Sequence, residues 1–142
     1  MIKISPSILS SDFLHLEKDI EYLNNYADYF HLDIMDGVFV PNITFGFPIC
    51  MSIATKARIP LDIHLMIVNP EKYIDEFAAI NGVGMISFHI EAVSDPLPLL
   101  EKIKSYGIKC GLAINPDVEI AKLDPYYEYC DYVLIMSVQA CF

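Results

Sequence analysis

Basic residues are scarce in this chain. Lysine and arginine together number 9, against 19 aspartates and glutamates, for a formal net charge of −10. No run of basic residues offsets that total, so a nucleic acid would meet repulsion and is excluded as a partner. A small phosphorylated ligand is still permitted, because one local site can oppose the overall field. Charge is sparse altogether, at 20%, while 54% of residues are hydrophobic. That balance excludes disorder and supports a packed core. No apolar stretch is long enough to span a membrane, which takes about 18 uninterrupted residues. The segment from Met1 to Phe13 has no long apolar run and a single lysine, so it does not read as a secretory signal. The four cysteines, Cys50, Cys110, Cys130 and Cys141, form neither a CxxC pair nor a zinc spacing. A chain this apolar needs no disulfide staples. Reduced thiols in the cytoplasm are expected, three of them as core filler. With no linker, low-complexity stretch or repeated motif, residues 1–142 read as a single domain.

What is present is alternation. Short β-rich runs at Ile2–Leu9, Tyr29–Met35, Leu61–Ile67, Met85–Ile90, Lys109–Ile114 and Tyr132–Val138 are separated by helical patterns. Ser11 and Asp12 are candidate caps for a helix carrying Phe13, Leu16, Ile20 and Leu23. Further helices are expected over Pro48–Ala57, from Asn69 and Pro70 through Ile80, over Pro96–Tyr106 with Gly107 as its stop, and over Val118–Tyr127. Alternation on this scale predicts an α/β fold with a parallel sheet.

Two of the strands have faces of different character. His31, Asp33 and Met35 share one side of the second run, and Phe30, Leu32 and Ile34 the other. Asp62, His64 and Met66 likewise oppose Leu61, Ile63 and Leu65. The aliphatic faces suit packing under helices, and the mixed faces suit a barrel interior or cleft. Two imidazoles and a carboxylate from adjacent strands, His31, Asp33 and His64, can ligate a divalent metal; three satisfied core polar residues are the alternative. Asp36 faces away from Asp33 and reads as a turn residue before Gly37. His89 reads as a structural polar contact and His15 as a surface residue. The tyrosines between 126 and 132 read as packing, and Asn115 as a loop residue that could face the site.

The strings Ser5-Pro6-Ser7-Ile8-Leu9, His31-Leu32-Asp33-Ile34-Met35-Asp36-Gly37, Phe39-Val40-Pro41-Asn42 and Leu61-Asp62-Ile63-His64-Leu65-Met66 resemble ribulose-phosphate 3-epimerases. Asn69-Pro70, Asn115-Pro116 and Met136-Ser137-Val138 follow in that family's order, and allulose-6-phosphate 3-epimerases are close relatives. The resemblance implies a TIM-type (β/α)8 barrel. It also implies epimerisation of a ketose phosphate at C3, D-ribulose 5-phosphate to D-xylulose 5-phosphate, through an enediolate. By the same resemblance Asp33 is an acid/base and a metal ligand, and His31 and His64 are ligands. Ser7 and His64 contact substrate, and Met35, Met66 and Met136 line the enediolate. One divalent ion is implied, with zinc, iron, manganese and cobalt all compatible with the donors. A phosphate-handling enzyme of another type, with a lysine in the interior, is disfavoured, because strand alternation places no lysine well inward.

A closed barrel takes roughly 200 residues or more, and this sequence has 142. It therefore reads as a truncated barrel of about the first six strands and five helices. The family's fourth ligand, an aspartate that is also the second acid/base, lies on a seventh strand, and its phosphate grip follows strand six. Neither lies within this sequence. Where the family continues from Met-Ser-Val to a Pro-Gly pair, Ala140 and Cys141 stand, and Phe142 aligns with the family's phenylalanine. Two open sheet edges predict self-association as a homo-oligomer. A catalytically dead fragment, or an assembly module needing a partner chain, is the alternative function.

Overall fold

The computed structural model describes residues 1–139. Five strands, β1 (Phe30–Met35), β2 (Leu61–Met66), β3 (Val83–His89), β4 (Lys109–Ile114) and β5 (Tyr132–Ile135), form one sheet in sequential order. Every neighbouring pair is parallel. Helix α1 (Leu16–Leu23) precedes β1, and α2 (Phe47–Lys56), α3 (Ile74–Ala78) and α4 (Leu97–Ser105) each fall between successive strands up to β4. Sequential parallel strands with no reversal of order form the wall of a β/α barrel and lack the switch point of a doubly wound sheet. No helix among the described residues is long and apolar enough to cross a membrane.

The expected first strand is not one. Residues 4–7 run beside β1, where Ile4 and Pro6 carbonyls accept from Asp28, Tyr29 and His31 N–H groups. The single bridge is Ser7 to His31. Pro6 has no N–H to give a ladder. The Ser7 hydroxyl accepts from Leu9 N–H and turns the chain into a 3-10 helix at Ile8–Ser10. The helix expected over Val118–Tyr127 is a 3-10 segment, Ile120–Tyr126, whose Pro125 cannot donate an α-helical bond. Helix α1 starts only at Leu16, because Asp12 is spent on Leu14 N–H and the His15 ring. Asn69 sits in the left-handed region with φ 51° and makes no side-chain cap. A short 3-10 turn, Pro70–Lys72, therefore precedes α3. The last strand ends at Ile135, followed by one further bond from Met136 N–H to the Ile114 carbonyl. Gly107, with φ +74°, ends α4 as expected. Cys141 and Phe142 lie outside the described residues.

The aliphatic faces of the strands meet the helices in one core. Phe30, Leu32, Ile63, Leu65, Ile86 and Phe88 are buried there against Ile53, Phe77, Leu100 and Ile103. Each such side chain contributes roughly 1.5–3 kcal/mol by leaving water. The opposite face carries the polar residues and a small second cluster of Met35, Val40 and Met66. Among the described residues β5 has one sheet neighbour, β4, so its outer edge is open to the pairing expected of it.

Cys50 and Cys110 are fully buried in the core. Burial pushes the Cys50 thiol from about 9 up to about 12 and the Cys110 thiol up to about 11. These folded-state values lie above the unfolded ones. The stabilisation is thus complete below about pH 9 and is lost as pH rises through the folded values. Denaturant midpoints should fall on going from about pH 8 to about pH 10.5. The fall should be shallower in Cys50→Ala, and equal slopes in the two proteins would refute the assignment to this thiol.

Candidate metal centre

The site is set by strand pairing. Parallel register places His31 opposite Asp62, Asp33 opposite His64 and Met35 opposite Met66. Since side chains alternate, these pairs form successive layers on the face away from the helices. Thr44 pins the C-terminal end of β1: its hydroxyl donates to the Asp33 carbonyl at 2.6 Å and accepts from Met35 N–H at 3.0 Å.

Ligand atoms of His31, Asp33 and His64 all lie within 4.8 Å of one another. Asp33 Oδ1 is 3.2 Å from His31 Nε2 and 3.0 Å from His64 Nδ1. The Ser7 hydroxyl donates to the other carboxylate oxygen. Behind His31, Nδ1 meets Asp62 Oδ2 at 2.7 Å. Asp62 is itself held by Ser5 Oγ at 3.3 Å and approached by the Tyr132 hydroxyl at 3.5 Å. His31 and Asp33 side chains keep 15% and 13% exposure, while His64 keeps 1%. A ligand can therefore arrive over His31 and Asp33, with His64 as the floor.

Electrostatics follow from these contacts. Burial opposes charge on His31, but hydrogen bonds to Asp33 and Asp62 outweigh it and raise its pKa to about 10. Burial also opposes charge on Asp33. Bonds from His31, His64 and Ser7 overcome it and hold the carboxyl well below the usual range. His64 moves down, first through burial and then through repulsion by the neighbouring imidazoles. The shifts favour a charged Asp33 carboxylate beside a charged His31, and an uncharged His64. A donor set of two imidazoles and a carboxylate fits a divalent first-row ion. The orienting carboxylate on His31 is the usual companion of a metal-bound imidazole.

The sequence-predicted residues are largely brought together. Ser7 touches Asp33. Met35 and Met66 pack in the small apolar cluster with Met136, Leu9 and Phe39 against it. Asp36 accepts from Val38, Phe39 and Val68 N–H groups and is a turn residue, as expected. The Asn115 N–H donates to Glu91 Oε1 at 2.8 Å. Asp62 was legible only as a polar residue on the mixed face; its place behind His31 comes from the β1–β2 register. His89, read as a structural contact, is fully buried with Nε2 3.0 Å from His64 Nε2.

A family model described as the ribulose-phosphate 3 epimerase family matches residues 3–142. Proteins named ribulose-phosphate 3-epimerase are similar over nearly the whole chain. The one from Helicobacter pylori strain J99 is 40% identical over 99% of this chain and 64% of its own length. The one from Aquifex aeolicus is 41% identical over 98% and 63%. The one from Bacillus subtilis strain 168 is 40% identical over 100% and 65%. The chain thus spans just under two thirds of the length of these relatives.

Proposed function

The chain belongs to the ribulose-phosphate 3 epimerase family, and on that premise we propose that it binds one divalent metal ion and moves the C3 proton of a ketose phosphate, D-ribulose 5-phosphate. The observation that carries this reading is the convergence of His31, Asp33 and His64 within 4.8 Å on the open face of the sheet. These three residues would hold the ion. Once bound, a divalent ion supplies Lewis-acid polarisation of the ketose oxygens.

The chain's own residues do the rest. Asp33 is the partly exposed carboxylate of the cluster, so it is the group that would accept the C3 proton. Ser7 holds one carboxylate oxygen and fixes the orientation of the base. On this reading the Ser7 hydroxyl and the His64 imidazole also contact the substrate. Met35, Met66 and Met136 form an apolar wall above the carboxylate layer, which excludes water from the developing anion. Inversion requires proton exchange on both faces of the enediolate; Asp33 serves one of them.

The test follows the C3 hydrogen by NMR in D2O, with the 142-residue chain, D-ribulose 5-phosphate and added zinc, cobalt or manganese. Protein- and metal-dependent loss of the C3–H signal is expected. Net epimerisation would add the second face of the reaction. A C3–H signal as persistent as in the protein-free control, with every metal, would refute the reading.

A further inference from the structure

We propose that His89 and Glu91 are positioning residues that fix His64 as an Nδ1 metal ligand, by setting the direction of a hydrogen-bond chain running from the site into the protein. The inference rests on the metal-site reading above.

The geometry is a line of four groups. His64 Nδ1 faces Asp33 Oδ1 at 3.0 Å. His64 Nε2 faces His89 Nε2 at 3.0 Å, with ring centroids 5.1 Å apart and ring planes 23° from parallel. His89 Nδ1 lies 3.3 Å from Glu91 Oε2 but is not aligned for a hydrogen bond, and it has no other partner among the described residues. Glu91 is anchored through its second oxygen by the Asn115 N–H. His64 and His89 are both essentially removed from water, so solvent cannot mend a wrong arrangement.

Two neutral imidazoles meeting nitrogen to nitrogen share one proton: one donates and the other accepts. Only two arrangements of the line exist. In the first, His64 carries its proton on Nδ1 towards Asp33, and His89 donates from Nε2. The bare Nδ1 of His89 then faces the Glu91 carboxylate, acceptor against acceptor. In the second, His64 donates from Nε2 to His89, and His89 turns its Nδ1–H towards Glu91. The bare His64 Nδ1 then faces the site beside Asp33. Asp33 favours the first arrangement and Glu91 the second. A cation at Asp33 cancels the pull of Asp33 and leaves that of Glu91. Only the second arrangement offers a lone pair to the ion; in it the His64 Nε2–H meets His89 Nε2 and the His89 Nδ1–H faces the Glu91 carboxylate, 3.3 Å away. The sequence places a carboxylate two residues after His89 in β3's exit, where the chain turns into the 3-10 segment Ile90–Ala92.

Three variants separate this from a merely structural role. Glu91→Gln keeps an oxygen for the Asn115 N–H but can present an amide N–H to His89, which reverses the bias. Zinc affinity is expected to fall about tenfold. His89→Leu leaves the His64 Nε2–H without an acceptor and should weaken zinc by a similar factor or more. His89→Gln restores an acceptor at that position and should recover most of the loss. Affinity is read by competition with a chromophoric chelator in the 142-residue chain, and folding by circular dichroism. In the zinc-loaded wild type, long-range 15N–1H spectra should show His64 protonated at Nε2 and His89 at Nδ1. Zinc affinities of folded Glu91→Gln and His89→Leu within twofold of wild type would overturn the inference while leaving the metal site standing. A zinc-loaded His64 protonated at Nδ1 would do the same. A wild type that binds no zinc would instead overturn the metal-site reading, and this inference with it.

Discussion

Asp33→Asn is expected to slow exchange of the substrate C3 hydrogen by on the order of 10³-fold, within the range lost when a positioned general base is removed. Asparagine has the same shape and leaves the apolar wall of Met35 and Met66 untouched. It cannot accept the proton, and it removes the one negative charge that His31, His64 and Ser7 all address. Metal affinity should fall as well, because a carboxylate ligand becomes a weak neutral donor. A second readout separates loss of the base from collapse of the site. In the metal-free variant the His31 pKa should fall from about 10 towards its ordinary value, since its leading stabilising bond is gone. Asp62 stays behind His31 and keeps the fall partial. An exchange rate within tenfold of wild type at saturating metal would remove Asp33 from the mechanism.

Gly111→Ala is expected to cost about 1–3 kcal/mol of stability, the usual range for overpacking. Gly111 is buried in β4, paired with Ser87 on one side and Tyr132 on the other. A Cβ built there would overlap the Tyr132 ring. The ring lies across Gly111 and reaches towards Asp62 on β2. Alanine forces the ring off this position and uncovers Asp62, which orients His31. Metal affinity should therefore weaken together with stability. Tyr132→Ala in the Gly111→Ala background removes the clash and should restore most of the backbone cost, so the two changes are non-additive. A denaturant midpoint unchanged by Gly111→Ala alone would show that the ring moves at no cost.

Much of the site is legible in the sequence, because the relevant rule is local. In His31-Leu32-Asp33-Ile34-Met35 and Asp62-Ile63-His64-Leu65-Met66 the period of two separates a chemical face from a packing face, and parallel pairing keeps the two faces in step. That rule puts His31, Asp33 and His64 on one face, and the β1–β2 register then brings Asp33 opposite His64. Relations needing a third dimension do not follow. Asp62 becomes the partner of His31 only once the register is known, and His89 reaches His64 only because one ring reaches across to the other on the neighbouring strand. The errors in the fold were errors about donors. Pro6 and Pro125 sit inside otherwise regular patterns, and the missing N–H turns a strand into an extended flank and a helix into a 3-10 segment. Asn69 suggested a cap, whereas its left-handed backbone reverses the chain before α3.

The alternating faces of β1 also decide which changes in length the chain can absorb. Deleting one residue just before His31 would slide the strand by one position against β2 and exchange its faces. Leucine and isoleucine would then look into the candidate metal site, while a histidine and an aspartate would be driven under the helices. Core and site would be lost together, however conservative the change appears on paper. A residue inserted between Val38 and Ile43, where the chain is turning and partly exposed, leaves that parity intact. Insertions and deletions should thus accumulate in the segments after the strands and be absent from the strands themselves, so that the spacing of His31 and Asp33 is a more stringent requirement than the identity of the residue between them.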